Sequence, residues 1–184
     1  MMEKHPSVEY VMLTEQQIQE KTKEVAKQLD KLYEGRTPVV VCILKGSVLF
    51  FSDLIKNMKT TLTIDFMAVS SYGSGTKSSG ELKIVKDLTT DIKGRDVLIV
   101  EDIIDSGNTL YKLKKLLHAR APSSVNIVTL LDKPERREVP IEPEYTCFVI
   151  EDEFVIGYGL DYDEEYRNLP YVGVLKRSVY EGEN

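Results

Sequence analysis

A run of six apolar residues, Val39–Leu44, restricts the fold of this chain more than any other segment. Six residues are too few for a buried helix, and the run is rich in valine, which favours a strand. No polar residue interrupts it, so both faces of the strand must be covered, as they are in a parallel sheet with helices on each side.

Further strand-like and helical segments alternate along the chain. The strand-like segments are 62–69, 82–85, 97–104, 125–131, 147–150 and 171–175. Helices are predicted from Thr14 to near Gly35, over 47–59 and over 107–120; the first begins with Thr14 and Gln17 spaced as in a capping box. In the second helix, Val48, Phe51, Leu54, Ile55 and Met58 are expected to face inward. This alternation predicts an α/β fold with a mostly parallel twisted sheet flanked by helices.

Composition narrows the class of protein. The chain has 184 residues, which is enough length for one self-sufficient domain. Its net charge of −6 argues against an overall cationic nucleic-acid binder. Cys42 and Cys147 lack any metal-binding spacing and are expected to be buried free thiols. The N-terminus lacks the apolar stretch of a signal peptide, and no segment approaches the length of a membrane span, so we expect a soluble, cytoplasmic protein.

Segment 96–109 contains the most chemically informative residues. Its apolar strand ends in Glu101 and Asp102, and Asp105 follows three residues later. A helix then opens with Ser106, Gly107, Asn108 and Thr109. Small residues at a helix N-terminus expose N–H groups that suit a phosphate. Carboxylates beside them suit sugar hydroxyls, a divalent cation or developing positive charge, so the segment predicts a phosphorylated sugar substrate.

Three other interpretations of this segment explain it less well. A Walker A loop requires lysine before the Ser/Thr, whereas Asn108 occupies that place. In a receiver domain, the strand that ends in paired acids is the first strand of the fold. Here that strand begins at residue 97, and too few residues follow it to complete such a fold. A solvated acidic turn would explain neither all the acids nor the glycine-opened helix.

The segment 70–80 is too rich in glycine, serine and other polar residues to pack. It is either a linker or a mobile lid over a site.

Several motifs together resemble one family. They are Leu44-Lys45-Gly46-Ser47, Ser71-Tyr72, segment 100–109, Leu131-Asp132-Lys133, and segment 154–162 with Arg167. In this order they resemble the 6-oxopurine phosphoribosyltransferases of the bacterial hypoxanthine-guanine type, over almost the whole chain. The resemblance implies the type I phosphoribosyltransferase fold in a single domain: a core of about 36–140, a hood from the N-terminal residues and about 141–184, and a mobile loop at 70–80.

The resemblance also implies an activity. This is the Mg²⁺-dependent transfer of the 5-phosphoribosyl group from 5-phosphoribosyl 1-pyrophosphate to N9 of hypoxanthine or guanine. The products would be IMP or GMP and pyrophosphate, as in purine salvage. The expected partners are these small molecules and further copies of the chain in a homodimer or homotetramer, with no nucleic acid and no membrane.

The family resemblance assigns one group of residues to phosphoribosyl pyrophosphate. Glu101 and Asp102 would bind the ribose hydroxyls and Mg²⁺, and Asp161 would bind a second Mg²⁺. Ser106, Gly107, Asn108 and Thr109 would hold the 5′-phosphate. Arg167 and the backbone N–H groups of Lys45 and Gly46 would contact pyrophosphate, the latter through a cis Leu44–Lys45 peptide.

A second group is assigned to the purine. Asp105 would act as the general base beside N7, although a helix N-cap is its simpler alternative. Lys133 would donate to O6 and thereby favour 6-oxo over 6-amino purines. Phe154 would stack on the base, Ile103 would lie on its opposite face, and Val155 would bind the base through backbone groups. Ser71 and Tyr72 would close over the site.

Two alternatives remain open at this stage. A regulator with the same fold that binds RNA would need a basic face and no purine-site residues. The second is a relative that acts on xanthine or on a pyrimidine. The preference between guanine and xanthine depends on contacts at C2, which the family makes largely through backbone near Val155 and Asp161, so side-chain identity does not decide it.

Overall fold

The structure is a computed structural model that describes residues 4–71 and 82–181. Its strands are β1 (Val8–Leu13), β2 (Val39–Leu44), β3 (Thr63–Ser71), β4 (Leu82–Lys86), β5 (Asp96–Ile104), β6 (Ser124–Asp132), β7 (Tyr145–Val149), β8 (Val155–Ile156) and β9 (Val172–Leu175). Its helices are α1 (Glu15–Leu32), α2 (Val48–Asn57), α3 (Asn108–His118) and α4 (Arg177–Tyr180), with a 3-10 turn at Pro134–Arg136. None of the helices in these described ranges is both long and apolar enough to cross a membrane.

A six-stranded sheet in the order β4-β3-β2-β5-β6-β7 forms the centre of the molecule. Its strands are parallel except β4, which runs antiparallel to β3. Alternate residues of β2 point to opposite faces: Val40 and Cys42 pack with α1 and α2, whereas Val39 and Val41 pack with α3. The predicted α/β fold with a mostly parallel, helix-flanked sheet is confirmed.

The helices largely follow their predicted limits. Thr14 caps α1 through the reciprocal bonds of a capping box with Gln17. In α2, the prediction that Val48 faces inward is wrong, because its side chain is 40% exposed while Phe50 is fully buried. The buried face runs through Phe50, Phe51 and Leu54, so Val48 lies outside it. Cys42 and Cys147 are buried free thiols, as expected.

A small antiparallel sheet, β1-β9-β8, joins the two ends of the chain. Its apolar side contains Val8, Ile156, Tyr171 and Leu175. The division into a core of about 36–140 and a hood stays a prediction; the strand β7, which follows residue 140, belongs to the central sheet.

A buried carboxylate, Asp65 on β3, holds the segment after β4. It accepts hydrogen bonds from the backbone N–H groups of Thr89 and Thr90, each at 2.8 Å, and of Phe66 at 2.7 Å. Burial alone would raise the pKa of Asp65, but these N–H donors outweigh it and lower the pKa to about 2. The ionised form is therefore the one that stabilises the fold.

We expect Asp65→Asn to destabilise the protein by about 1–3 kcal/mol at pH 7, because an amide NH₂ would face N–H donors. The unfolded carboxyl has a pKa near 3.9, so the ionised side chain contributes its full stability above about pH 5 and loses it as pH falls towards 2. Urea denaturation at pH 7, 5 and 3 should show the difference between wild type and variant narrowing at pH 3. A difference that stays constant would contradict this role.

Candidate active site

The turn after β2 and the loop after β5 meet at the carboxyl edge of the sheet, where parallel α/β proteins bind ligands. The Leu44–Lys45 peptide is cis, as the resemblance implies. A Cβ atom on Gly46 would lie 1.7 Å from Oδ2 of Asp102, so the bare backbone of Gly46 packs directly on that carboxylate. The side chain of Lys45 extends to Glu164, with Nζ 2.7 Å from Oε2.

The start of α3 forms one wall of a cavity of 340 Å³. Gly107 is the N-cap residue and has φ of +80°, a conformation that favours glycine. Asn108 donates from its backbone and its side chain to Ser106 Oγ, at 3.4 and 3.2 Å, which fixes the turn. Lys45, Gly46, Ser106, Gly107, Asn108, Thr109 and Arg167 all line this cavity. The first N–H groups of α3 have no partner within the helix and suit an anion there.

Glu101 and Asp102 place two carboxylates side by side under this cavity. Burial of Glu101, followed by repulsion from Asp102, raises the pKa of Glu101 well above its usual range. None of the ion pairs within the described ranges neutralises either acid. A divalent cation would relieve this repulsion, so the pair fits Mg²⁺.

The acids alone do not form a complete metal cage. Within residues 4–71 and 82–181, no group of three or more His, Cys, Asp or Glu side chains is arranged to hold a metal ion. Mg²⁺ is usually held by one or two carboxylates together with water and substrate phosphates, and Glu101 and Asp102 supply two carboxylates.

Asp105 lies where the phosphate cavity joins a second one. It does not cap α3, because Gly107 is the cap, so the simpler structural role is wrong. Two buried side-chain atoms in the described part of the chain make no hydrogen bond of good geometry, and they are Asp105 Oδ1 and Arg167 Nε. Asp105 Oδ1 has an ion-pair partner, Nε of Arg136 at 2.6 Å, whereas Arg167 Nε is suited to a ligand because buried polar atoms are normally paired.

The second cavity brings together the residues predicted for the base. Ile103, Asp105, Lys133, Phe154 and Val155 line it. Lys133 is buried, and its Nζ donates to the carbonyl of Glu153 at 2.7 Å. Phe154 is 40% exposed and lines this cavity, so its aromatic side chain can contact a ligand there.

Sequence reasoning missed six residues of this cavity: Arg136, Asp152, Glu153, Leu160, Arg177 and Tyr180. Tyr180 stacks on Phe154 with ring centroids 5.1 Å apart. The tyrosine is remote from Phe154 in sequence, so no spacing linked them. Arg136, in contrast, follows Lys133 by one helical turn, which is a local signal.

Asp161 and Arg167 form an ion pair in the loop between β8 and β9, with Arg167 Nη1 2.8 Å from Asp161 Oδ1. The same nitrogen donates to the carbonyl of Gly159 at 2.8 Å. Asp161 lines both cavities, so its carboxylate lies at their junction. Of the two residues predicted to close the site, Ser71 ends β3, and Tyr72 lies outside the described residues, as does the rest of the predicted loop to residue 80.

The fold and the joined cavities define an α/β protein suited to a phosphorylated sugar next to a flat heterocycle. The family model described as "Phosphoribosyl transferase domain" matches residues 11–163, and the chain belongs to this family.

Individual relatives cover nearly the full length. The chain is 57% identical over 182 residues to a hypoxanthine-guanine phosphoribosyltransferase of Lactococcus lactis, covering 98% of this chain and 99% of the relative. It is 53% identical over 180 residues to the protein of the same name from Streptococcus thermophilus, with 98% and 99% covered. A crystal structure of a hypoxanthine phosphoribosyltransferase from Staphylococcus aureus superposes with a TM-score of 0.94 at 53% identity, covering all of both chains.

Proposed function

We propose that this protein is a purine-salvage enzyme that transfers the 5-phosphoribosyl group from 5-phosphoribosyl 1-pyrophosphate to N9 of hypoxanthine or guanine. The bond from C1′ to pyrophosphate breaks, the bond from C1′ to N9 forms, and the purine loses a proton. IMP or GMP and pyrophosphate leave the site. The full-length identity to relatives with this name supports the assignment.

The placement of the Asp105 carboxylate is the single observation that carries the proposal. It shares a cavity with the amine of Lys133 and the ring of Phe154. A 6-oxopurine offers a ring N–H, a carbonyl and a flat face, which match these groups in kind. Asp105 takes the ring proton as general base, and Lys133 donates to O6. Because an ammonium group only donates, a 6-amino purine is disfavoured.

Phosphoribosyl pyrophosphate is bound both by backbone N–H groups and by charged side chains. The start of α3, from Ser106 to Thr109, binds the 5′-phosphate, while the N–H groups of Lys45 and Gly46 contact pyrophosphate. The unpaired Nε of Arg167 adds a donor there. Glu101 and Asp102 bind the ribose hydroxyls.

Carboxylates of the site would also hold the metal. Glu101 and Asp102 would bind one Mg²⁺ and Asp161 a second, and the bound ions would supply positive charge against the leaving pyrophosphate.

An assay with one base at a time tests the function. The purified protein is mixed with phosphoribosyl pyrophosphate and Mg²⁺, and turnover is followed spectrophotometrically with hypoxanthine, guanine, xanthine, adenine and uracil. We expect turnover with hypoxanthine or guanine and none with adenine or uracil. Xanthine as the best substrate would identify a different specificity, and the absence of turnover with every 6-oxopurine would refute the proposal.

Assembly into a homodimer or homotetramer is part of the same proposal. The resemblance to the hypoxanthine-guanine phosphoribosyltransferases is what supports it. Sedimentation equilibrium should give two or four times the chain mass of 20.9 kDa, and a monomer at all concentrations would contradict it.

A further inference from the structure

Arg136, in the 3-10 turn after β6, lies between two acids that come from different parts of the chain. Its Nε is 2.6 Å from Oδ1 of Asp105, at the end of β5. Its Nη1 is 3.2 Å from Oδ1 and 3.4 Å from Oδ2 of Asp152, which follows β7. One guanidinium therefore joins the loops after two strands of the sheet.

The connection continues to the lysine of the same cavity. Lys133 Nζ lies 3.4 Å from Oδ1 of Asp152, the oxygen that also faces Arg136. Asp105 and Lys133 are thus the two ends of a chain of alternating charges that runs through Arg136 and Asp152. In the proposed function these two ends contact the ring proton and O6 of one purine.

The backbone and the side chain of Asp105 are held by different arginines. Arg137 Nη1 donates to the backbone carbonyl of Asp105 at 2.5 Å and also pairs with Asp132. Nothing in this contact fixes the carboxylate group, whose Oδ1 accepts no hydrogen bond of good geometry from the described residues. The ion pair with Arg136 is what orients it.

We propose that Arg136 is a positioning residue, which holds the Asp105 carboxylate at the spacing from Lys133 that a 6-oxopurine requires. The inference rests on the proposed function. Arg136 acts through Asp105 and contacts no reacting atom itself. A planar guanidinium can face both acids at once from Nε and Nη1, whereas a lysine at this position offers a single ammonium group.

Loss of this ion pair should alter catalysis more than stability. The side chains of Arg136 and Asp105 are 49% and 45% exposed, and exposed ion pairs contribute little to folding. Arg120 offers a matched control, because it forms an exposed ion pair with Asp87 at 2.8 Å, and neither residue lines the two cavities.

The test is a double-mutant cycle on Asp105 and Arg136, with the full chain and saturating phosphoribosyl pyrophosphate. We expect Arg136→Ala to lower kcat/KM for hypoxanthine about 10-fold, since small misplacements of catalytic groups are costly. Arg136→Lys should recover only part of the loss, and Arg120→Ala should match wild type. In the Asp105→Asn background, Arg136→Ala should cause no further loss. The melting temperature and the KM for phosphoribosyl pyrophosphate should change little in Arg136→Ala.

Each contrary outcome has a distinct meaning. Full activity of Arg136→Ala, or a loss that adds to that of Asp105→Asn, would overturn the positioning role while the wild-type activity still supports the proposed function. A large fall in melting temperature for Arg136→Ala would assign the residue to folding and would also overturn it. Wild-type protein without turnover of any 6-oxopurine would overturn both proposals.

Discussion

Asp105→Asn is expected to lower kcat for hypoxanthine by about 10²–10⁴-fold, the usual contribution of a positioned general base. Asparagine has nearly the same shape as aspartate, but its amide cannot take the purine proton. The fold should be retained, because Asp105 does not cap α3 and its backbone carbonyl stays bonded to Arg137.

The measurement is kcat at saturating concentrations of both substrates, together with a thermal melt of each protein. Asp87→Asn is a suitable control, because Asp87 also pairs with an arginine through its carboxylate but lies in the segment after β4, away from both cavities. An unchanged rate in Asp105→Asn would remove this residue from the mechanism.

Gly159→Ala should have the largest effect on stability, a loss of about 2–5 kcal/mol from combined backbone strain and overpacking. Gly159 has φ of +101°, and a Cβ atom there would lie 1.9 Å from the backbone oxygen of Gly46. Unlike a flexible side chain, that oxygen cannot rotate away. The variant must therefore separate the β8–β9 loop from the turn after β2, and activity should fall with stability.

Gly94→Ala separates the two contributions. Gly94 also has a positive φ, +69°, but a Cβ atom there would have no neighbour within 4 Å. Its expected loss is about 1–2 kcal/mol from backbone strain alone. Urea denaturation of both variants gives the comparison, and equal losses would show that the contact between Gly159 and Gly46 does not restrict the fold.

The central sheet was predictable because its residues carry local signals. The uninterrupted apolar run of β2 predicts a buried strand, and the acids at the end of β5 predict a strand that ends at the edge of the sheet. In β1, by contrast, Glu9 and Tyr10 are exposed, so its residues do not alternate regularly between buried and exposed. The strand β8 has only two residues, which is too short for any hydrophobic pattern to predict a strand. Both become strands by pairing with β9.

The candidate site was predictable in part for a similar reason. Most of the phosphate side lies on two continuous segments, whose motifs are visible in the sequence, and Arg167 joins them from the loop between β8 and β9. The base side depends on contacts between distant segments, such as Tyr180 on Phe154 and Arg136 on Asp105. Such contacts follow from the tertiary fold, and the cis peptide at Leu44–Lys45 was expected only from the family resemblance.

The two ends of the site should differ in how readily they can be redesigned. At Gly46, backbone touches the Asp102 carboxylate and the backbone around Gly159, so almost any added atom disturbs several elements at once. Around Phe154, Arg177 and Tyr180, side chains line an open cavity and can be exchanged with less effect on the main chain. Directed evolution towards other heterocycles should therefore collect its substitutions on the base side and leave the sugar-phosphate donor unchanged.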